Sequence, residues 1–506
     1  MEKALQEQVS AFRDFVKKMT NYDSAISCLG WDARTGMPKN GVADRAEVIG
    51  TLATEHFKMG TSSEMEAFLN ELSEPETFTQ LDEITQGIVK ECKKEFDRNN
   101  KIPADRFQAY IVLTSNAEAA WEEAREKSDF QSFQPYLEKI VETNREFIEK
   151  YWGYEENKYD TLINFYEPGL TVAKLDQIFG DLREKSVQLL QKITSSGNQI
   201  DTSFLTEHYA TEDQKAFSKF ILEEMGYSFD SGRLDETVHP FASAFNPGDV
   251  RVTTRYNSRD VREALFGSIH EGGHALYEQN VSLDLVGTPL CSGTSMGIHE
   301  SQSRYWENMI GRSRMFWEKY YDDLINQFPD QLGHIALEDF YRAINAVEPS
   351  LIRVKADELT YNLHIMIRYE IEKGLINGEI EVADLPDIWN TKYEEYLGVT
   401  PPNDSEGVLQ DVHWSGGMFG YFPSYSLGNI YAAQFANKIR QDLPEYEDYV
   451  RNGDLSKIKE WAKENIYKYG KLLSPKEILL QVTGEELKVS YLVDYLETKF
   501  KAVYKL

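Results

Sequence analysis

Apolar side chains recur at spacings of three and four along most of this chain, which is the period of an amphipathic α-helix. One clear stripe lies in residues 132–150. Similar stripes occupy residues 3–27, 42–58, 77–98, 103–127, 172–196, 211–226, 302–325, 359–373, 424–440 and 454–468. Thr483-Gly-Glu-Glu486 has the form of a capping box and predicts the start of a last helix. The chain is therefore predicted to be mostly helical.

One segment, residues 237–256, has a period of two instead. Val250, Val252 and Thr254 alternate with polar side chains, and the preceding residues 246–249 have turn chemistry. Pro240 lacks an N–H group and places the first strand of this predicted hairpin at an edge. The expected fold class is all-α with a small hairpin or sheet packed on the helix that follows.

Charge and cysteine content exclude several classes of protein. Lys and Arg number 54 against 84 Asp and Glu, giving a formal charge of −30. Nucleic-acid binders and proteins of anionic membrane surfaces concentrate basic residues, so neither partner is expected. The three cysteines lack a C-x-x-C pair and predict neither a disulfide framework nor a thiolate zinc site. Without a signal-like N-terminus or an apolar run of about 20 residues, a cytoplasmic location is expected.

Two histidines stand four residues apart in His270-Glu-Gly-Gly-His274. Positions i and i+4 lie one turn apart on one helix face, so both imidazoles can reach a single metal ion. Glu271 follows the first histidine, where its carboxylate can accept a proton from an attacking water. Asp260 and the apolar steps of four after it predict the helix independently. The spacing indicates a catalytic metal site, the alternative being two ordinary helix-face histidines.

A catalytic zinc site takes three protein ligands and keeps one position open. The extended motif with a third histidine is excluded, because Tyr277 and Asn280 occupy the positions it requires. A carboxylate from a downstream helix is expected instead, and Glu300 is the candidate. Glu307, seven residues further on, and the adjacent His299 are the alternatives.

These motifs resemble those of the thermostable metallocarboxypeptidase family of the carboxypeptidase Taq type. The resemblance covers residues from about 239 to 428, and the family's size and helical character agree with the whole chain. Six ordered blocks carry it: His239-Pro-Phe241, Asp249-Val-Arg251-Val-Thr253, His270-Glu-Gly-Gly-His274, His299-Glu300-Ser301, Ile352-Arg353-Val-Lys-Ala356-Asp357 and Gly407-Val-Leu-Gln410-Asp411-Val-His413-Trp414.

The resemblance implies an elongated helical fold with a deep substrate groove, a small sheet at the metal site, and a homodimer. It also implies that single residues are removed from the free C-terminus of peptides with broad specificity, with Zn²⁺ as the metal and Co²⁺ as a substitute. On this basis residues 1–506 form one metallopeptidase domain. Residues 1–235 would be scaffold and groove wall, 236–430 the metal and substrate site, and 431–506 C-terminal helices.

Such a reaction develops an oxyanion, which needs preorganised hydrogen-bond donors beside the metal. A glycine-rich loop, residues 417–425, carries two phenols, Tyr421 and Tyr425, and His413 precedes it. These three side chains are the candidates for that role. Their alternative role is aromatic packing.

A peptidase acting at C-termini must also bind a free carboxylate, which a guanidinium group suits best. The resemblance assigns this role to Arg353 and Arg251, with an ordinary ion pair as the alternative for each. His239 is a further substrate-site candidate, with a core role as its alternative. Asp357 and Asp411 are expected to accept hydrogen bonds from the ligand histidines.

Two other functions remain open from the sequence. An oligoendopeptidase or a dipeptidase would use the same metal motif, and the arginines and family blocks argue against them. A helical binding protein with a structural zinc is the more distant alternative, and it would need a fourth protein ligand such as Cys291.

Overall fold

The computed structural model describes residues 3–506, and over these the chain is mainly α-helical with one small sheet. The predicted fold class is confirmed. Ten helices precede the sheet: α1 (Lys3–Thr35), α2 (Val42–Gly60), α3 (Ser63–Leu72), α4 (Pro75–Phe78), α5 (Glu83–Asn100), α6 (Ala104–Lys127), α7 (Phe130–Phe147), α8 (Lys158–Tyr166), α9 (Val172–Ser195) and α10 (Thr211–Met225).

Twelve helices follow the sheet within the described residues. They are α11 (Val261–Gln279), α12 (Met296–Arg304), α13 (Arg314–Gln327), α14 (Pro329–Leu332), α15 (Leu337–Ala343), α16 (Glu358–Asn377), α17 (Leu385–Leu397), α18 (Pro423–Asp442), α19 (Tyr446–Asn452), α20 (Leu455–Asn465), α21 (Pro475–Thr483) and α22 (Ser490–Tyr504). Helix α12 continues directly into a π-helix, Tyr305–Gly311.

The predicted hairpin is present as β2 (Ala242–Asn246) and β3 (Asp249–Thr254), which pair antiparallel. A third strand, β1 (Leu234–Glu236), pairs parallel to β3 and makes β3 the central strand. The sequence analysis did not predict β1, because three residues are too few to show an alternating pattern. Helix α11 packs on β2 and β3, as expected for the helix that follows the hairpin.

Two glycines let neighbouring helices approach α11 closely. A Cβ on Gly272 would lie 2.6 Å from a side-chain methyl of Leu222 in α10, and one on Gly273 would lie 2.7 Å from the Cα of Ser303 in α12. Helix α12 also packs along α18, where a Cβ on Gly428 would lie 2.4 Å from Cγ of Glu300. The region around Glu300 is therefore enclosed between α11 and α18.

One helix start differs from its prediction. Thr483 ends α21, and α22 begins only at Ser490, so Thr483 does not open a capping box. The capping box lies one helix earlier, where Ser474 and Glu477 bond reciprocally at the start of α21. No helix over residues 3–506 combines the length and apolar character needed to cross a membrane.

Candidate metal centre

Three side chains converge between α11 and α12 in the way a metal site requires. Asp260 caps α11 by accepting the backbone N–H of Arg262, and the helix then presents His270 and His274 on one face. Their Nε2 atoms lie 3.7 and 3.4 Å from the same oxygen, Oε2 of Glu300. One donor atom of each residue lies within 4.8 Å of the other two.

The hydrogen bonds behind these histidines define which ring nitrogen is free. Nδ1 of His270 lies 2.9 Å from Oε2 of Glu307 and so donates its proton there. Nε2 of His299 donates to Glu278 at 2.8 Å, so Nδ1 of His299 is an acceptor for Nδ1–H of His274 at 2.6 Å. In the neutral form of each ligand histidine, Nε2 is therefore the unprotonated nitrogen, and it is directed at Glu300.

This arrangement fits a tetrahedral metal ion such as zinc. Zinc–nitrogen and zinc–oxygen bonds of about 2.0–2.1 Å at tetrahedral angles place neighbouring ligand atoms roughly 3.4 Å apart. The observed separations of 3.4 and 3.7 Å from Glu300 lie close to this value. The donor set is two imidazole nitrogens and one carboxylate oxygen, which leaves room for a water molecule as a fourth ligand.

Two residues considered as rival ligands have supporting roles instead. Glu307 lies behind His270 and His299 lies behind His274, each bonded to the Nδ1 atom that faces away from Glu300. The prediction that Asp357 and Asp411 accept from the ligand histidines is wrong. Asp357 caps α16 through the N–H groups of residues 359 and 360, and Asp411 binds arginines.

Arginines keep the two glutamates of this site ionised. Nε of Arg304 donates to Glu300 at 2.7 Å, and its Nη1 donates to Glu307 at 3.2 Å. Arg312 donates to the other oxygen of Glu307 at 3.2 Å. Burial by itself raises the pKa of Glu300, but Arg304 and His270 outweigh burial, so its pKa lies well below the usual range. Glu300 therefore carries the negative charge that a cation site needs.

Glu271 differs from these two glutamates because it has no such cation partner. It is buried on α11 between the two ligand histidines, and burial raises the pKa of its carboxyl to about 7. A carboxyl group with a pKa near neutrality can both accept and return a proton. The geometry thus suits Glu271 to general acid and base work.

The loop between Asp411 and α18 brings the three predicted oxyanion candidates together. Nε2 of His413 lies 3.3 Å from the hydroxyl of Tyr425, and the rings of Tyr421 and Tyr425 meet edge to face with centroids 5.2 Å apart. The ring of Tyr425 meets the ring of Tyr361 edge to face at 6.3 Å, and Tyr361 in turn carries the Arg304 guanidinium that binds Glu300. Burial raises the pKa of Tyr421 to about 12, which keeps its proton available for donation.

Arg353 lies in a buried cluster of charged side chains with Arg368 and Asp411. Its guanidinium binds Oδ1 of Asp411 at 2.8 Å, and Arg368 binds Oδ2 of the same carboxylate at 2.6 Å. The side chains of Arg353 and Arg368 are 7% and 0% exposed. Burial lowers the pKa of His413 to about 4, so this neighbour adds no charge. Two guanidinium groups thus share one carboxylate.

This cluster lies close to the metal donor set. Nη1 of Arg353 donates to the hydroxyl of Tyr361 at 3.2 Å, and the Arg304 guanidinium stacks over the Tyr361 ring at 4.3 Å. Arg304 in turn binds Glu300. Two side chains, Tyr361 and Arg304, therefore separate the Arg353 guanidinium from Glu300, the third metal donor.

Arg251 and His239 lie in different surroundings. Arg251 forms two hydrogen bonds of 2.8 Å to Asp249 and stacks over Trp31 and Phe245, so its charge is compensated. His239 is exposed in the segment before β2. No hydrogen bond or ion pair among residues 3–506 joins either side chain to the metal donors.

Sequence reasoning missed several members of this site: Arg304, Arg312, Tyr361, Arg368 and Glu278. Arg304 could have been found, because it stands one turn after Glu300, where a carboxylate and a guanidinium pair on a helix face. Glu278 stands one turn after His274 on α11 but bonds His299 of another helix. Only the packing of α11 against α12 brings that pair together.

Comparisons with known proteins agree with these observations. The family described as carboxypeptidase Taq (M32) metallopeptidase matches residues 11–500. Carboxypeptidase 1 of Bacillus subtilis is 52% identical over 495 residues, covering 98% of each chain. Thermostable carboxypeptidase 1 of Thermus thermophilus is 40% identical, covering 96% of this chain and 97% of that protein.

A solved structure extends the agreement to the fold. The M32 carboxypeptidase from Deinococcus radiodurans superposes with a TM-score of 0.95 at 36% identity, covering 99% of this chain and 100% of that one. The match spans the helical scaffold as well as the donor set. The chain therefore belongs to the carboxypeptidase Taq (M32) metallopeptidase family and is a peptide hydrolase that works with a metal ion.

Proposed function

We propose that this protein is a zinc-dependent carboxypeptidase that releases single amino acids from the free C-terminus of peptides with broad specificity. His270, His274 and Glu300 would hold the zinc ion, with Co²⁺ as a possible replacement. The observation that carries the proposal is that the buried guanidinium groups of Arg353 and Arg368 share one carboxylate, Asp411, and that Arg353 lies two side chains away from Glu300.

The positive charge of the Arg353 guanidinium favours an exopeptidase over an endopeptidase. A buried guanidinium is stabilised when a second carboxylate completes its hydrogen bonds, and charge-assisted forked pairs are the strong ones. The terminal carboxylate of a peptide supplies that group, and an internal segment of a peptide does not. Because Arg251 has the Asp249 carboxylate as its own partner whereas Arg353 shares Asp411 with Arg368, we assign the substrate carboxylate to Arg353 alone.

Each side chain around the donor set then has a task in hydrolysis. A zinc ion held there would polarise the scissile carbonyl and lower the pKa of a bound water. Glu271 would accept the proton of the attacking water and pass it to the leaving amine. Tyr421, Tyr425 and His413 would offer hydrogen bonds to the oxyanion as its charge develops.

The alternatives are weaker on specific observations. Cys291 is absent from the cluster of potential metal ligands found among residues 3–506, so the closed four-ligand site of a structural zinc lacks support. An oligoendopeptidase would leave the Arg353 charge without a use. A dipeptidase would also bind a terminal carboxylate, and it differs from the proposed enzyme in not shortening longer peptides.

A mass-spectrometric time course tests the proposal directly. One peptide is supplied as free acid and as C-terminal amide, each with and without a chelator. We expect a chelator-sensitive ladder that loses single residues from the free acid, while the amide resists. Internal cleavage of both forms would contradict the carboxypeptidase assignment.

Two variants then locate the carboxylate site. Arg353→Ala should lower kcat/KM on the free acid about 100-fold, since hydrogen bonds to charged groups contribute about 1.5–3 kcal/mol each. Arg251→Ala is the matched comparison and should cost much less. Equal losses in both variants would show that the two arginines share the role.

A further inference from the structure

A buried carboxylate outside the donor set holds both ends of the loop that carries the oxyanion candidates. Glu372, in the middle of α16, is fully buried. Its Oε1 accepts the indole N–H of Trp414 at 2.7 Å, and its Oε2 accepts the backbone N–H of Gly420 at 2.8 Å. The hydroxyl of Tyr159 in α8 also donates to Oε2. All three hydrogen-bond partners are neutral, and the positive charge of Arg368, one turn earlier on α16, also acts on this carboxyl group.

The two anchored residues are direct neighbours in sequence of two oxyanion candidates, His413 and Tyr421. Trp414 directly follows His413, and Gly420 directly precedes Tyr421. The segment between them forms hydrogen-bonded turns and no helix or strand, so its position depends on contacts with other elements. The backbone of Gly420 has a φ of +87° and a Cβ there would lie 2.6 Å from the backbone of Leu162, which confirms how closely the loop is held against α8.

We propose that Glu372 is a positioning residue, which fixes His413 and Tyr421 beside the metal donors by binding the Trp414 indole and the Gly420 amide. The inference rests on the proposed function, because that function assigns the oxyanion donors to this loop.

The chemistry of the anchors explains why a carboxylate is needed. The two N–H groups approach different oxygens, and neither can turn into an acceptor. A glutamine of the same shape would present its amide N–H₂ to one of them, leaving that donor without a partner. A buried donor without a partner is strongly unfavourable, which is enough to release one end of a loop.

The test compares Glu372→Gln with Glu370→Gln. Glu370 lies on the same helix, but its carboxylate binds Arg183, Lys392 and Tyr396. For Glu372→Gln we expect kcat to fall by up to about 100-fold, the loss that a misplacement near 1 Å can cause. KM should stay within about threefold, because Arg353 is untouched, and bound zinc should be unchanged. Glu370→Gln should behave as wild type.

Hydrogen–deuterium exchange gives a readout independent of activity. In Glu372→Gln, peptides from residues 407–422 should exchange faster, while those from 261–304 should not. A general loss of structure would speed exchange in both segments. Unchanged kcat together with unchanged exchange in Glu372→Gln would overturn the proposal.

A second variant covers the case in which Glu372→Gln does not fold. Trp414→Phe removes one anchor and keeps the carboxylate, and it should show the same local exchange and a lower kcat. Tyr159→Phe keeps both loop anchors and should retain kcat within about threefold. If Trp414→Phe matches wild type, Glu372 does not position the loop. If the wild-type enzyme releases no C-terminal residues, the proposed function fails, while the exchange comparison still tests the anchoring.

Discussion

Glu271 and Glu300 are both buried in one site, yet their surroundings separate their chemistry. Arg304 compensates Glu300 and keeps it ionised, whereas burial dominates at Glu271 and raises its pKa to about 7. A ligand carboxylate must stay charged, and a proton acceptor must be able to take up and return a proton. The difference in cation partners therefore assigns the two roles.

Glu271→Gln should keep the metal and lose the activity. Glu271 is not one of the three donors, so zinc content by mass spectrometry of the native protein or by metal analysis should equal that of wild type. Without the proton acceptor, kcat should fall at least about 100-fold, the usual scale of general acid–base catalysis. Wild-type turnover in this variant would refute the role of Glu271.

The donor residues could be predicted from the sequence, and their partners could not. His270 and His274 follow from a helical spacing, and Glu300 from the need for a third ligand. The residues that hydrogen-bond to this cluster, Glu307, His299 and Glu278, are present in the sequence, but no local pattern shows which imidazole nitrogen each one contacts. That information arises only when α11 and α12 pack.

At the level of elements, the contact between α11 and α12 decides where Glu300 lies relative to the histidines. Gly273 meets the backbone of α12 at Gln302 and Ser303, so a side chain there must push the helix itself. Gly272 meets only the ends of the Leu222 and Met225 side chains, which can move. Alanine substitutions at these two adjacent glycines can therefore be compared as a test and its control.

Gly273→Ala should destabilise the protein and weaken zinc binding. Overpacking of this kind costs about 1–3 kcal/mol, more than the roughly 1 kcal/mol that alanine gains over glycine in a helix. We expect lower stability in urea and about tenfold weaker zinc affinity in a competition titration.

Gly272→Ala is the control and should change stability by no more than about 1 kcal/mol, with zinc affinity unchanged. Equal behaviour of the two variants would mean that the α11–α12 contact does not set the donor geometry.

Element boundaries show where local patterns mislead. Thr483-Gly-Glu-Glu486 has the residue types of a capping box, yet Gly484 adopts a φ of +73° and ends α21 there. Strand β1 has no pattern of its own and exists because β3 offers it a free edge. By contrast, long amphipathic stripes such as residues 132–150 predict α7 well, because burial of one face dominates its stability.

For the whole molecule, Glu167 joins distant parts of the chain. This residue follows α8 and is almost fully buried. It accepts the N–H of Gly297 and the hydroxyl of Ser295 at the start of α12. The phenol of Tyr431 also faces it. Burial raises the pKa of this carboxyl to about 8.

The raised pKa of Glu167 determines how the stability of the folded protein changes with pH. Because the folded protein holds this proton more tightly than the unfolded chain, the contribution is complete below the unfolded pKa near 4.3 and is lost as pH rises through about 8. The slope is at most about 1.4 kcal/mol per pH unit.

Glu167→Gln should therefore flatten the decline of stability with pH. The amide oxygen can still accept from Gly297, and the Ser295 hydroxyl can rotate to accept from the amide N–H₂. Between pH 6 and 8, urea unfolding should show wild type losing about 2 kcal/mol more than the variant. Parallel declines in both proteins would show that Glu167 does not titrate as described.

For the whole molecule, sequence patterns predict the helical fold class but not the buried polar contacts that connect one helix with another. Arg368 and Glu372 are ordinary charged residues in a helical stripe, and Glu167 lies between two stripes, so no spacing marks any of the three as buried. Their positions depend on contacts between residues more than 40 apart in the chain. The division into scaffold, site and C-terminal helices stays a prediction, as do the homodimer, the groove and the cytoplasmic location.

The shared carboxylate of Asp411 has a consequence for turnover. The bond that is cut lies on the amino side of the last residue, so the released amino acid keeps the group that attracted the peptide. In its proposed role, Arg353 would then bind the product through the same contacts as the substrate. Free amino acids should accordingly compete with peptides for the enzyme, and its rate in a mixture should fall as the released residues accumulate.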